Sequence, residues 1–338
     1  MASLSFLLGM VPSTEKVETA DDQIRADFQS YKEYENSEDL KHYLELEKEV
    51  KSSDFAIRKR KMKKDAYKES EEYQKKTEYD VLKKSDKVVW YFKTKKKYPF
   101  KEIEKWDLTF EEKFNKSKLD TSKWMTRYYW GDKGMDSSFV LEDDKSFITD
   151  GHNIEFYDNK ARIVTKVAKA EGLTWRAEQG FVTEDFDFTS GMISTAKSFK
   201  QKYGVFKAKV KMAGGSVAQS FWMVSQSILP HVDIARFENG KLYANYFWGN
   251  GKSNHKSLSK TGGSKYADEY YIFTLEWTPN KLTWKINGKI FKTQTSGVPQ
   301  EEMYINFSSN LKKDASDSGL PSAMEIDWIR IYRLKAQS

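Results

Sequence analysis

The stretch Pro230-His231-Val232-Asp233-Ile234-Ala235-Arg236 decides how this chain is read. It alternates polar and apolar side chains, the period-two pattern of a strand with one buried face. Residues two apart on a strand share a face, so His231 and Asp233 point the same way. A one-residue bulge after Asp233 would turn Arg236 to that face as well. Glu238, the nearest further carboxylate, points away by the same parity unless a bulge intervenes.

Similar patterns lie on both sides of this stretch. Ser220-Phe221-Trp222-Met223-Val224 precedes it, and Leu242-Tyr243-Ala244-Asn245-Tyr246-Phe247-Trp248-Gly249 follows. Further out come Arg162-Ile163-Val164-Thr165-Lys166-Val167, Thr189-Ser190-Gly191-Met192-Ile193-Ser194-Thr195 and Tyr203-Gly204-Val205-Phe206-Lys207-Ala208-Lys209-Val210-Lys211. Near the end stand Tyr271-Ile272-Phe273-Thr274-Leu275-Glu276-Trp277-Thr278-Pro279-Asn280, then Leu282 to Ile286, then Asn287-Gly288, a strong hairpin-turn pair. Many short strands with turn residues between them, and almost no helical period, predict a sandwich or barrel from residue 105 onward.

Taken in order, these motifs resemble glycoside hydrolase family 16. They are the Thr-Ser-Gly strand, the Tyr-Gly-x-Phe strand, the Phe-Trp strand, the 231–236 stretch, the Trp-Gly, the Trp-Thr-Pro-Asn and Asn-Gly hairpin, and the closing Asp327-Trp328-Ile329-Arg330-Ile331-Tyr332. The resemblance covers about residues 105–334 and implies a mainly β fold. That fold is a concanavalin A-like jelly-roll β-sandwich of two antiparallel sheets, with a sugar cleft across the concave one. The family carries Glu-x-Asp-x-x-Glu there, or Glu-x-Asp-x-Glu without a bulge, where this chain has His231, Asp233 and Arg236. A retaining glycosidase needs a carboxylate nucleophile and a carboxylic acid roughly 5–5.5 Å apart. Imidazole is poorly suited to forming the glycosyl ester, and guanidinium stays charged near neutral pH and so donates no proton. The catalytic assignment is therefore none, with His231, Asp233 and Arg236 as degenerate motif positions.

The resemblance also supplies candidates for holding a sugar. Trp222 keeps the second Trp of the family's Trp-Pro-Ala-Phe-Trp, while Ala218 replaces the first. Trp248 keeps the Trp of His-Trp-Gly, and Phe247 replaces the His. Trp130, Tyr129, Trp175 and Arg176 are placed to rim a cleft, with Asp233 on its floor. Aromatic rings stack on the apolar faces of sugars, although core packing is their commoner use. A structural salt bridge between Asp233 and Arg236 in a filled cleft is the competing reading. Lys207 and Lys209 stand where the family often has Glu-Ala-Arg. Asp327 matches a terminal-strand calcium ligand of the family, but Lys113 falls where an acidic partner is usual, so no metal or cofactor is assigned.

Residues 15–104 differ in texture. They are rich in Lys and Glu, lack Gly, and predict an α-helical segment. Ser37-Glu38-Asp39 and Ser70-Glu71-Glu72 read as helix starts, 33 residues apart. Further pairs at that offset, such as Ile24/Ile57, Tyr34/Tyr67 and Ser52/Ser85, suggest a duplicated unit. Leu40, Tyr43, Leu44, Leu46 and Val50 make one apolar stripe, and Tyr73, Tyr79, Val81 and Leu82 make another. Residues 1–14 form an N-terminal tail whose Leu4, Phe6, Leu7 and Leu8 suit docking at least as well as secretion, since a basic n-region and a clear cleavage site are missing.

The 338 residues carry a net charge of +7, mild for a nucleic-acid binder of this size, so nucleic acid is left out of the expected partners. There is no cysteine, which excludes disulfides, thiol catalysis and Cys-based zinc sites. No apolar run reaches the roughly 18 residues that span a bilayer. The leading expectation is a non-catalytic, lectin-like protein that binds a polysaccharide or glycan. It would be attached to a protein partner, or to copies of itself, through residues 1–100. The alternatives are a structural component such as a tailed-phage virion protein, and a divergent polysaccharide hydrolase. Each places the chain extracellularly, at a cell surface or on a virion.

Overall fold

The computed structural model describes residues 11–129, 137–250 and 253–335. Two compact units emerge: Glu18–Lys105, and a second that joins the segment ending at Val17 to everything from Trp106 onward.

The first unit is helical. Helix α1 (Thr14–Glu35) leads into it, followed by α2 (Glu38–Val50), α3 (Ser53–Lys61), α4 (Lys64–Lys68), α5 (Glu71–Lys83), α6 (Asp86–Lys97) and α7 (Lys101–Glu104). Four serines start four of these helices. The hydroxyls of Ser37, Ser52, Ser70 and Ser85 accept from the backbone N–H groups of Leu40, Phe55, Tyr73 and Val88. Helices α2 and α5 begin and end 33 residues apart (Glu38 to Glu71, Val50 to Lys83), and the caps Ser52 and Ser85 share that offset. The two helices pack together, with Tyr43 and Tyr79 stacked at 5.7 Å. Tyr31, Leu40, Leu46, Val88, Tyr91 and Phe100 complete the small core. Each cap satisfies a backbone donor that the helix cannot. Ser37→Ala and Ser70→Ala are each expected to cost about 1 kcal/mol in urea unfolding of the full chain. Among the described residues no helix is long and apolar enough to cross a membrane.

The second unit is β. Among the described residues its strands are β1 (Trp106–Glu112), β2 (Phe139–Leu141), β3 (Ser146–Ile148), β4 (Ile154–Tyr157), β5 (Lys160–Arg176), β6 (Gly180–Ser194), β7 (Gly204–Lys211), β8 (Ala218–Ser225), β9 (His231–Glu238), β10 (Lys241–Tyr243), β11 (Tyr246–Gly249), β12 (Asn254–Ser257), β13 (Lys260–Gly262), β14 (Tyr270–Thr278), β15 (Lys281–Ile286), β16 (Lys289–Gln294), β17 (Met303–Asn310) and β18 (Ser322–Leu334). One layer runs β4-β5-β18-β7-β14-β15-β16, with β1 on the C-terminal half of β18. The other runs β6-β17-β8-β9, and β9 then pairs with β11 at its start and β10 at its end. The β5–β6 hairpin joins the layers, and among the described strands the parallel pairings are β2 with β5 and β3 with β6.

Period-two burial drives the two layers together. Phe206, Ala208 and Val210 from β7 and Phe273, Leu275 and Trp277 from β14 meet Phe221 and Met223 from β8, Val232 and Phe237 from β9, and Ile305 and Phe307 from β17. Each large side chain buried this way contributes roughly 1.5–3 kcal/mol. The Tyr-Gly-x-Phe strand needs its glycine because Gly204 has φ +122° and a Cβ there would stand 2.0 Å from the carbonyl oxygen of Tyr332. Asn287 and Gly288 both have positive φ, as the two-residue hairpin turn requires. The segment before the helices belongs to this unit. Asn287 Nδ2 donates to Pro12 O and to Thr14 Oγ1, each at 2.9 Å.

Candidate functional site

The site is built on β9. Ile234 and Ala235 together oppose Phe221 of β8, while Asp233 opposes Trp222, so one residue is extra. That bulge keeps Val232 and Phe237 in the core and puts Arg236 on the face of His231 and Asp233. It also turns Glu238 to the same face, so the parity argument that pointed Glu238 away does not hold.

Asp233 is 3% exposed and fully engaged. Its Oδ1 lies 3.0 Å from His231 Nε2, its Oδ2 accepts from Asn245 Nδ2 at 3.0 Å, and its carbonyl accepts from Trp284 Nε1 at 2.8 Å. Burial works to raise the carboxyl's pKa. The hydrogen bond and charge of His231, the charge of Arg236 and the amide of Asn245 outweigh it and hold the group below the usual aspartate range. Arg236 does not pair directly with Asp233, contrary to the structural salt bridge considered above. Its Nε and Nη2 donate to Glu238 Oε2 at 3.1 and 2.9 Å, because the bulge leaves Glu238 as its neighbour on the same face. Burial works to lower the guanidinium's pKa, and the negative charges of Asp233 and Glu238 reverse this and raise it.

These groups floor a cavity of about 1040 Å³. Tyr243, Asn245 and Phe247 extend the floor, and the rims carry Ile228, Leu229, Asp143 and Lys312 on one side and Asn254 to Lys260 on the other. The concave layer is not open throughout. Tyr128 packs on Phe139 and Trp222, and Tyr129 packs on Tyr304, so an aromatic layer covers the portion over β6, β17 and β8.

Of the sequence candidates, Asp233 and Phe247 line the cavity. Trp222 lies beside it on the same face: its ring stacks on His231 at 4.9 Å and its Nε1 donates to Ser308 Oγ at 3.1 Å. Trp248 is a correction. It follows Phe247 directly, so it faces the other way, stacked on Tyr246 at 4.7 Å and backed by Gly297. Trp175 and Arg176 are also away from this cavity, at the tip of the β5–β6 hairpin, where Trp175 packs on Phe181 and Arg176 pairs with Glu184. Tyr129 sits in the aromatic cover, and Trp130 lies outside the described residues. The calcium candidate fits poorly, since Asp327 is ion-paired to Lys209 Nζ at 2.7 Å. No cluster of three His, Asp or Glu side chains able to hold a metal occurs among the described residues.

Several lining residues were not anticipated: Asn245, Tyr243, His255, Lys256, Lys260 and Lys312. Tyr243 and Asn245 had a legible cue, the alternation Tyr243-Ala244-Asn245 that shares the strand pattern of Leu242 to Gly249.

A buried lysine lies behind the floor. Lys292 Nζ donates to Ala244 O and Ser257 O, both at 2.7 Å, and sits 4.6 Å from the Trp284 ring. Burial pushes its pKa down to about 8, against a smaller opposing pull from Asp233. The unfolded chain keeps this proton up to the ordinary lysine value of 10.5, so it binds more protons than the folded chain between those limits. Wild-type stability relative to Lys292→Met is therefore expected to rise as pH increases from about 8 toward 10.5, measured by chemical denaturation at each pH.

A jelly-roll sandwich with an open polar groove beside β9 defines a carbohydrate-associated scaffold. The chain belongs to glycosyl hydrolases family 16, whose model matches residues 141–330. It is 20% identical over 265 residues to the glucan endo-1,3-beta-glucosidase A1 of Niallia circulans, covering 67% of this chain and 38% of that one. It is 26% identical over 161 residues to the endo-1,3-1,4-beta-glycanase ExsH of Rhizobium meliloti, covering 45% of this chain and 35% of that one. The chain thus spans less than two-fifths of the length of either relative. The catalytic domain of the Thermotoga petrophila laminarinase superposes with a TM-score of 0.53 at 18% identity, over 68% of this chain and 99% of that one.

Proposed function

We propose that this chain binds a polysaccharide in the β9 cleft without cleaving it. The observation that carries this reading is the engagement of the three motif positions with one another and with their neighbours. His231 is tied to Asp233, Asp233 to Asn245, and Arg236 to Glu238. The carboxylate at the motif position, Asp233, is buried and held ionised, so it offers no proton at neutral pH, and a guanidinium supplies none either. Glu238 is the next carboxylate on the same strand, and Arg236 holds it. The polar side chains and the Phe247 ring suit recognition of a sugar chain. Such a binder acts where polysaccharide is met, outside the cell or at a surface. The helical unit would attach it to a partner, since Leu44, Val81, Val89 and Phe92 stand exposed there.

The test is paired. Calorimetry against a panel of oligosaccharides is expected to detect binding that Phe247→Ala weakens, while reducing-end assays on the same sugars detect no turnover. Turnover abolished by Asp233→Asn would overturn the reading, as would a panel with no binding at all.

A further inference from the structure

We propose that the cleft is built for an acidic polysaccharide, one bearing carboxylate or sulfate groups, rather than for a neutral glucan. This rests on the reading that the cleft holds a glycan.

The strand register sets out two parallel rows across the floor. In one, His231 of β9 lies opposite Phe247 of β11, which lies opposite Lys256 of β12. In the other, Arg236 of β9 lies opposite Tyr243 of β10, which lies opposite Lys260 of β13. All six side chains line the cavity. Each row runs from a nitrogen base, across an aromatic ring, to a lysine at the rim. The two lysines are four residues apart on a nearly extended chain, roughly 13 Å. Both are exposed, and neither has an ion pair among the described residues. Lys312 also lines the cavity, with its Nζ 2.6 Å from Asp144. Against these cations stand Asp143 at the rim, Asp233 on the floor, already committed to His231 and Asn245, and Glu238, which is paired with Arg236.

The chemistry of the donors selects the ligand. Ammonium and guanidinium groups donate hydrogen bonds and accept none. A sugar hydroxyl both donates and accepts, so such a lining answers half of its capacity. Carboxylate and sulfate oxygens only accept, and charge-assisted bonds to them are stronger. The aromatic ring between the bases in each row gives the sugar's apolar face a surface. The alternation of ring and cation is what an acidic sugar chain requires, and the two free lysines are its unpaired half.

The test uses the full chain and oligosaccharides of equal length: an oligogalacturonate, a sulfated galactan and a neutral laminari-oligosaccharide. One or both charged probes are expected to bind more tightly than the neutral one, and the two arms separate carboxylate from sulfate. The pair Lys256→Ala and Lys260→Ala is expected to weaken charged-probe binding about tenfold. In 1 M salt, where the screening length is about 3 Å, the preference over the neutral probe should largely disappear. Arg58→Ala with Lys61→Ala, in the last turn of α3, which carries four consecutive basic residues from Arg58 to Lys61, serves as a control for generic attraction by the cationic chain and should leave binding unchanged. Equal or tighter binding of the neutral probe overturns the proposal and leaves the glycan-binding reading intact. Charged-probe binding that follows the helical control rather than the cleft lysines also overturns it. If no probe binds, both fail together.

Discussion

Asp233→Ala is expected to lower stability by about 3 kcal/mol, among the largest effects of any single change in the cleft. The carboxylate is 3% exposed and receives bonds from both sides, so its removal leaves the His231 ring and the Asn245 amide facing an apolar gap. It also strips Arg236, itself largely desolvated, of one of its two negative neighbours. Breaking one member of a buried charged cluster costs more than the cluster is worth, because the survivors stay buried and unmatched. Asp233→Asn keeps the shape and should lose less. The dependence on pH carries a definite sign. The folded-state pKa lies below the ordinary aspartate value of 3.8, so the stabilising contribution is complete above that value. It fades as pH falls through the lower, folded-state pKa. Urea unfolding of wild type and Asp233→Ala across that range should show the gap between them closing at the acid end. A gap that stayed constant would mean the loss is one of packing and not of charge.

Much of this arrangement could be read from residue order. The alternation through β9 and the Asn287-Gly288 turn depend on local rules, and those rules name a strand face or a turn without knowledge of the partner strand. The face shared by His231 and Asp233 came from parity alone. What parity cannot give is the extra residue. Ile234 and Ala235 are both apolar and both fit the core, so either count of residues between Asp233 and Arg236 satisfies the pattern. The bulge is fixed by pairing with Phe221, a contact distant in sequence, and with it the Arg236–Glu238 pair. Trp248 failed for the opposite reason. Its neighbour Phe247 was also assigned to the cleft, yet adjacent strand residues cannot share a face, and the local rule was sufficient to choose between them. The rim residues Asn254 to Lys260 left no mark in the sequence, since their strands are three or four residues long and carry too few apolar side chains to show a period.

The same geometry predicts what would restore catalysis. The double variant His231→Glu with Arg236→Glu puts carboxyl groups on the two positions that flank Asp233 on the cleft face, with the bulge already in place. The carboxyl introduced at 236 would stand between Asp233 and Glu238, whose negative charges raise its pKa, as a proton donor to the leaving oxygen requires. The carboxyl introduced at 231 would rest on the Trp222 ring, beside Phe247, as the attacking group. Hydrolysis of the oligosaccharide that the wild-type cleft binds best is expected to rise at least about 100-fold above wild type in the double variant, and in neither single one, because acid and nucleophile each depend on the other. Circular dichroism establishes that the variants fold, and reducing-end release measures the rate. A single variant as active as the double would show that two carboxyl groups are not what the cleft lacks. Wild-type turnover equal to that of the double would show that it lacks nothing, and that His231 and Arg236 perform chemistry of their own.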